Sequence, residues 1–191
     1  MVNFLWENLF KKTDLQDQVR AVLRDNFIFQ KLSPRELKFV ENIVHVRSYQ
    51  PGEMIFRQDE VGVGMYLVMS GAVDVTINDI GEEFGAEPER VFVTRLGAGD
   101  FFGEIALVED HSRRNANALA HSETKLIGFF KPDLMEILER NPATGAKLMY
   151  RLSEVLGRRL RETTDKVSAL RKEVKVLRST IKDAADEPLR T

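Results

Sequence analysis

Gly99–Ala120 reads GDFFGEIALVEDHSRRNANALA. A single glycine, Gly103, precedes the carboxylate Glu104 in otherwise apolar surroundings, and two adjacent arginines, Arg113 and Arg114, follow it. Three chemical readings are open: an acid/base pair, an internal salt bridge, or a cradle for a negatively charged ligand. A surface Glu–Arg pair is common and contributes only ~0–1 kcal/mol. Here, however, DFFGEIAL surrounds the carboxylate with apolar side chains, where an unpaired charge is costly. As a general acid Glu104 would need a second titrating partner, and the motif offers only His111, in the polar run EDHSRR. A phosphate that carries a sugar needs a different set. Unpaired N–H groups at a helix start suit an anion, a glycine lets the backbone come close, and an arginine supplies paired donors to two oxygens. A carboxylate at the rim then suits a ribose hydroxyl.

On both sides of this stretch the chain reads as short strands separated by turns, from about Ile43 to Phe130. In SYQPGEMIF, Pro51-Gly52 fits the centre of a type II turn. MYLVMSGAVDVTI reads as two strands meeting at Ser70-Gly71, with Val73, Val75 and Ile77 alternating in the second. RVFVTRL, NANALA and KLIGFF continue the series, and DIGEEFGAEPER is a polar connection. Strands at this spacing imply an antiparallel sandwich or barrel.

Helical patterns flank the strands. Before them, LQDQVRAVLRD places Leu15, Val19, Val22 and Leu23 on one face, and Ser33, Pro34 and Glu36 form a capping-box start. The aromatic cluster Phe4, Leu5, Trp6, Leu9 and Phe10 is expected to pack over the core. After the strands, KPDLMEILERNP is a short helix closed by Asn141-Pro142, and a long helix runs from about Ala143. Within it Leu160, Val167, Val174 and Ile181 recur every seven residues, as do Leu156, Thr163, Leu170 and Leu177. With the first line as position a, three of the four a sites are β-branched (Val167, Val174 and Ile181), and three of the four d sites are leucine. That distribution favours a parallel two-stranded coiled coil.

The 191 residues suffice for one domain of ordinary size with an appendage. A hydrophobic fraction of 43% with 30% charged residues belongs to a soluble globular protein, and a net charge of −2 gives no general attraction to nucleic acid or anionic membrane. No cysteine is present, which removes disulfides and thiolate chemistry and suits a reducing cytoplasm. The N-terminal apolar run is too interrupted for a signal peptide and no stretch approaches a membrane span. The three histidines, His45, His111 and His121, are too scattered for a metal site.

The opening stretch resembles the phosphate-binding cassette of the cyclic-nucleotide-binding domain family. That family carries Phe-Gly-Glu, an aliphatic, a small residue and an aliphatic, then Arg-x-Ala-x-aliphatic-x-Ala after a variable gap. This chain has Phe102-Gly103-Glu104-Ile105-Ala106-Leu107, then Arg114-Asn115-Ala116-Asn117-Ala118-Leu119-Ala120. The alanines select Arg114, not Arg113, as the phosphate arginine. Asn115 stands where many members carry Ser or Thr and can still donate a hydrogen bond, and Asn117 replaces a residue that is usually Thr, Ser or larger. The similarity extends over about Leu32–Lys166 and includes RRLRETTDKV at 158–167, through which Thr163 would reach the adenine of its own subunit and Thr164 that of the partner.

The expectation is therefore an α+β protein: an antiparallel β-roll of jelly-roll type, with N-terminal helices, a short cassette helix and a long C-terminal coiled-coil helix. The divisions expected are 1–42 helical, 43–142 the roll with its following helix, 143–184 the coiled coil and 185–191 a tail. The resemblance implies a non-enzymatic cytoplasmic sensor that binds cAMP or cGMP as regulatory ligand, without metal, through Phe102, Gly103, Glu104, Ile105, Ala106, Arg114, Asn115, Ala116, Asn117, Thr163 and Thr164. It would be a homodimer signalling to a partner protein. No DNA-binding, kinase, cyclase or channel segment is expected, and the competing reading is a dimerisation scaffold on the same fold that no longer takes nucleotide.

Overall fold

The computed structural model describes residues 2–79 and 89–185, with side chains over 14–78 and 90–181. The aromatic cluster at Phe4–Phe10, most of the acidic connection DIGEEFGAEPER and the tail lie outside the residues so described. The chain divides into two compact units, Met1–Arg151 and Leu152–Thr191.

In the first unit, helices α1 (Val2–Asp25) and α2 (Pro34–Glu41) precede eight strands: β1 (His45–Tyr49), β2 (Met54–Phe56), β3 (Gly64–Ser70), β4 (Val73–Asp79), β5 (Glu89–Leu96), β6 (Phe101–Phe102), β7 (Asn117–Ala120) and β8 (Thr124–Phe130). The short helix α3 (Ile105–Val108) interrupts them, and α4 (Lys131–Arg140) and the start of α5 (Pro142–Ala185) follow. Among the described residues the strands form two antiparallel sheets, ordered β1-β8-β3-β6 and β2-β7-β4-β5. This two-sheet antiparallel arrangement is what the strand spacing implies, and the roll is what the resemblance implies. Pro51-Gly52 makes its turn, closed by Glu53 N donating to Gln50 O at 3.0 Å.

The core between the sheets is Tyr49, Tyr66, Val68, Val73, Phe102, Ala118, Ala120 and Leu126, with Ile55, Phe56, Leu96 and Phe130 packed against it. Strand β3 is buried along almost its whole length because both faces are covered. Tyr66 and Val68 point between the sheets, whereas Met65 and Leu67 pair with Phe129 and Ile127 on the other face. That face meets the segment joining α1 and α2, where Phe29 and Phe129 pack edge to face at 5.6 Å. An apolar run without alternation is the sequence signature of such a strand.

Helix α2 starts with the expected capping box: Ser33 Oγ accepts from Glu36 N and Glu36 Oε2 accepts from Ser33 N at 2.7 Å. The same carboxylate ties α2 to the first turns of α5, accepting from Lys147 Nζ at 2.8 Å and from Thr144 Oγ1 at 3.1 Å. Lys147 and the Ser33 amide together hold the Glu36 carboxyl at about 2, against an ordinary 4.5. A depressed folded-state value contributes stability that is fully present above the unfolded value and lost as the pH falls through the folded one. Glu36→Gln is thus expected to lower the unfolding midpoint at neutral pH and to converge on the wild type between pH 4.5 and 2, read from thermal melts across pH. A parallel offset at every pH would contradict this.

In the second unit the helix continues to Ala185, with Leu160, Val167, Leu170, Val174, Leu177 and Ile181 exposed along it. Among the described residues no helix is long and apolar enough to cross a membrane.

Candidate functional site

The site forms where β6 ends. Phe102 pairs with Tyr66 of β3, and the chain then turns sharply at Gly103, whose φ of +77° is open to glycine and strained for other residues. Glu104 follows as the residue that starts α3, with a relative exposure of 1%. Behind α3 the chain returns through His111, which is exposed, to Arg114, which is buried at 6% exposure.

Arg114 is the centre of the arrangement. Its Nη1 donates to the Gly103 carbonyl at 3.2 Å, and its guanidinium lies over the Phe56 ring, 4.1 Å from the centroid. Tyr66 offers a second aromatic face at 6.0 Å, and Phe56, Tyr66 and Phe102 stack beneath. The walls are backbone. A Cβ on Gly103 would sit 2.4 Å from Arg114 Nη1, and one on Gly62 would sit 3.2 Å from its Cζ and 2.8 Å from Ala106 Cβ. Small residues at 62, 103 and 106 are therefore what leave room for a planar cation.

Burial pushes the Arg114 pKa down, and the fields of Tyr66, Glu104 and Glu60 oppose it. A cation drawn this far from water is costly unless an anion and hydrogen-bond acceptors face it. Glu104 supplies part of that field from within the site rather than from the rim. Arg113, by contrast, is exposed and donates to the Asp59 carbonyl at 2.7 Å. The two adjacent arginines thus differ in burial and in what they bond.

The loop from Arg57 to Val63 closes over Arg114 from the other side. Asp59 N donates to Arg114 O, Arg114 N to Glu60 O, and Gly62 N to Ser112 O, each at 2.8 Å. Phe56, Gly62 and Tyr66 also line the site, although the cassette pattern does not include them. Gly62 and Tyr66 fall in the run VGVGMY and Phe56 ends the preceding strand, but nothing local tells which distant side chain they surround.

The roll brings Phe102, Gly103, Glu104, Ile105, Ala106, Arg114, Asn115, Ala116 and Asn117 into one corner. Asn115 is exposed and Ala116 half-buried. Asn117 is 3% exposed, and its amide is engaged by the protein: Oδ1 accepts from Gln58 N at 2.9 Å, and Nδ2 donates to Asn78 Oδ1 at 2.9 Å and to Thr76 O at 3.4 Å. Thr163 and Thr164 belong to the second unit, where they are exposed and donate back to Arg159 O and Leu160 O at 2.8 and 2.9 Å. Among the described residues no three His, Asp or Glu side chains cluster as a metal site would require.

A buried arginine walled by glycines thus stands at the end of an antiparallel roll, beside a buried glutamate and a one-turn helix. Residues 46–141 match the cyclic nucleotide-binding domain, and the chain belongs to that family. It is 33% identical over 135 residues to the cyclic AMP receptor protein of Thermus thermophilus, a match covering 71% of this chain and 57% of that one. It is 32% identical over 116 residues to the cAMP-dependent protein kinase regulatory subunit of Blastocladiella emersonii, covering 61% of this chain and 27% of that one. The crystal structure of the Thermus thermophilus catabolite activator protein superimposes with a TM-score of 0.66 at 30% identity, over 76% of this chain and 63% of that one. The matched part is thus little more than half of the receptor protein and about a quarter of the kinase subunit. What the chain carries is a cyclic nucleotide-binding regulatory domain of this type.

Proposed function

We propose that the chain is a cyclic-nucleotide sensor, with cAMP as its ligand, that dimerises through α5 and signals to a partner protein without catalysing a reaction. The observation that carries the reading is Arg114, buried and oriented by Phe56 and the Gly103 carbonyl, beside the buried Glu104. In this reading the guanidinium and the N–H groups at the start of α3 take the cyclic phosphate. Glu104 takes the ribose hydroxyl, Ile105, Ala106, Ala116 and Phe102 line the approach, and Asn115 donates at the rim. Thr163 and Thr164 meet the adenine from the helix of each protomer. The names of the relatives, a cyclic AMP receptor and a cAMP-dependent kinase regulatory subunit, favour cAMP over cGMP. A cytoplasmic location fits an intracellular nucleotide.

Titration calorimetry of the purified chain with cAMP and with cGMP tests the ligand. Saturable 1:1 binding per chain is expected, tighter for cAMP; no heat from either at millimolar concentration would leave a dimerisation scaffold and refute the sensor.

Dimerisation is favoured by the exposed heptad line, since apolar side chains at every a and d step from Val167 to Ile181 have no use in water. Leu170→Lys with Leu177→Lys is expected to raise the dimer dissociation constant by about 100-fold or more, because each buries a charge in the seam. Sedimentation equilibrium reads this directly. A wild-type chain that is monomeric throughout, or a double variant that dimerises as well as the wild type, would refute the seam.

A further inference from the structure

We infer that Asn117 is a positioning residue, acting on the nucleotide through Arg114 rather than by touching it; this rests on the nucleotide reading of the site. Asn117 is the residue at which the β4–β7 ladder ends, opposite Thr76. Its side chain there takes over from the backbone. Oδ1 accepts the Gln58 amide, and Nδ2 reaches Asn78 Oδ1 and Thr76 O. Gln58 closes the ring, its Oε1 accepting from Asn78 N at 2.8 Å. Three amide side chains thus lash the segment following β2 to the far end of β4.

What is lashed is the cover of Arg114. Gln58 stands between Phe56, whose ring carries the guanidinium, and the residues that clasp the Arg114 backbone. Asp59 N and Glu60 O bond Arg114 on either side, Asp59 adopts a φ of +67°, and Gly62 abuts the guanidinium itself. A left-handed aspartate persists only where its surroundings hold it. Strand β2 cannot do so, because it is three residues long and its pairing with β7 is irregular between Met54 and Phe56. The amide ring is the anchor downstream of that irregularity. A buried asparagine whose two N–H donors and carbonyl acceptor are each met by the protein also has little capacity left for a ligand.

The test compares Asn117→Ala, Asn78→Ala and the double variant in the full chain, by amide hydrogen exchange without nucleotide and by calorimetry with cAMP and cGMP. Each single variant is expected to speed exchange over 57–63 by about tenfold, and to weaken cAMP and cGMP equally, by about tenfold, because the phosphate arginine is common to both. The double variant is expected to stay within about threefold of the singles rather than multiply them, as for partners in one network. Exchange over 57–63 unchanged in both singles would overturn the proposal. So would a loss of affinity in Asn117→Ala alone, or one that differs between the two nucleotides, since either means direct contact. Asn78→Ala, which keeps its backbone place in β4, decides the matter if Asn117→Ala does not fold. A wild type that binds neither nucleotide would refute the reading of the site, while the exchange measurement would still decide whether the ring holds the loop.

Discussion

Replacing Arg114 with leucine is expected to weaken cAMP binding by about 10²–10³-fold, while the fold survives. The loss follows from what the guanidinium supplies and leucine does not: a charge and paired, planar donors, worth about 3–4 kcal/mol to a phosphate at roughly 1.4 kcal/mol per decade. The fold survives because the side chain sits in an apolar bed of Phe56, Tyr66 and Phe102, which leucine can occupy without the cost of burying a cation. Arg114→Lys separates charge from shape. An ammonium keeps the charge but has neither the face that lies on Phe56 nor the fork that reaches both the Gly103 carbonyl and a ligand, so lysine should recover only a part of the affinity. Calorimetry with circular dichroism on the same samples checks both halves. An Arg114→Leu chain that binds cAMP within about threefold of wild type would remove Arg114 from the site, and with it the main support for the sensor.

The largest effect on stability is expected at Gly71→Ala, in the turn between β3 and β4. Gly71 has a φ of +85°, and a Cβ there would stand 2.3 Å from the Glu123 carbonyl oxygen and 2.8 Å from Thr124 Cα. Neither atom can swing aside, for both are backbone. The neighbouring Thr124 is fully buried, with its hydroxyl within 3.0 Å of the Ala72 and Ser122 carbonyls. Left-handed strain and a backbone clash together should destabilise the roll by about 3 kcal/mol or more, lowering the melting temperature by roughly 10 °C. Gly97→Ala is the control, since a Cβ there meets nothing within 4 Å. Equal urea midpoints for the two variants would show that the β3–β4 turn can relax, contrary to this account.

Several parts of the protein were legible in the sequence because their cause is local. The Ser33 capping box, the Pro51-Gly52 turn and the break at Asn141-Pro142 each depend on residues within one turn of chain, and each appears where expected. The cassette was legible for a related reason: Gly103 and Glu104 are adjacent, and the alanines after Arg114 mark its register just ahead of β7. The choice of Arg114 over Arg113 needed only that spacing, and the structure buries the one and exposes the other.

The surroundings of Arg114 were not legible, because they are a meeting of distant segments. Phe56 is locally the end of a strand and Gly62 part of a loop; the pairing of β2 with β7 and the bond from Gly62 to Ser112 bring them to Arg114 as a bed and a wall. Asn117 shows the same limit more sharply. By itself its amide serves equally to bind a ligand or to finish a sheet, and an asparagine in the cassette invites the first reading. Which use it finds is set by the end of the β4–β7 ladder, where Gln58 and Asn78 arrive with donors and acceptors to meet it. The sequence by itself determined the turns, the caps, the family and which of two adjacent arginines stands in the cassette's register, all encoded in near neighbours. Only the tertiary structure decided what holds that arginine, because hydrogen bonds and van der Waals contacts act over a few ångströms and the fold alone brings those partners within reach.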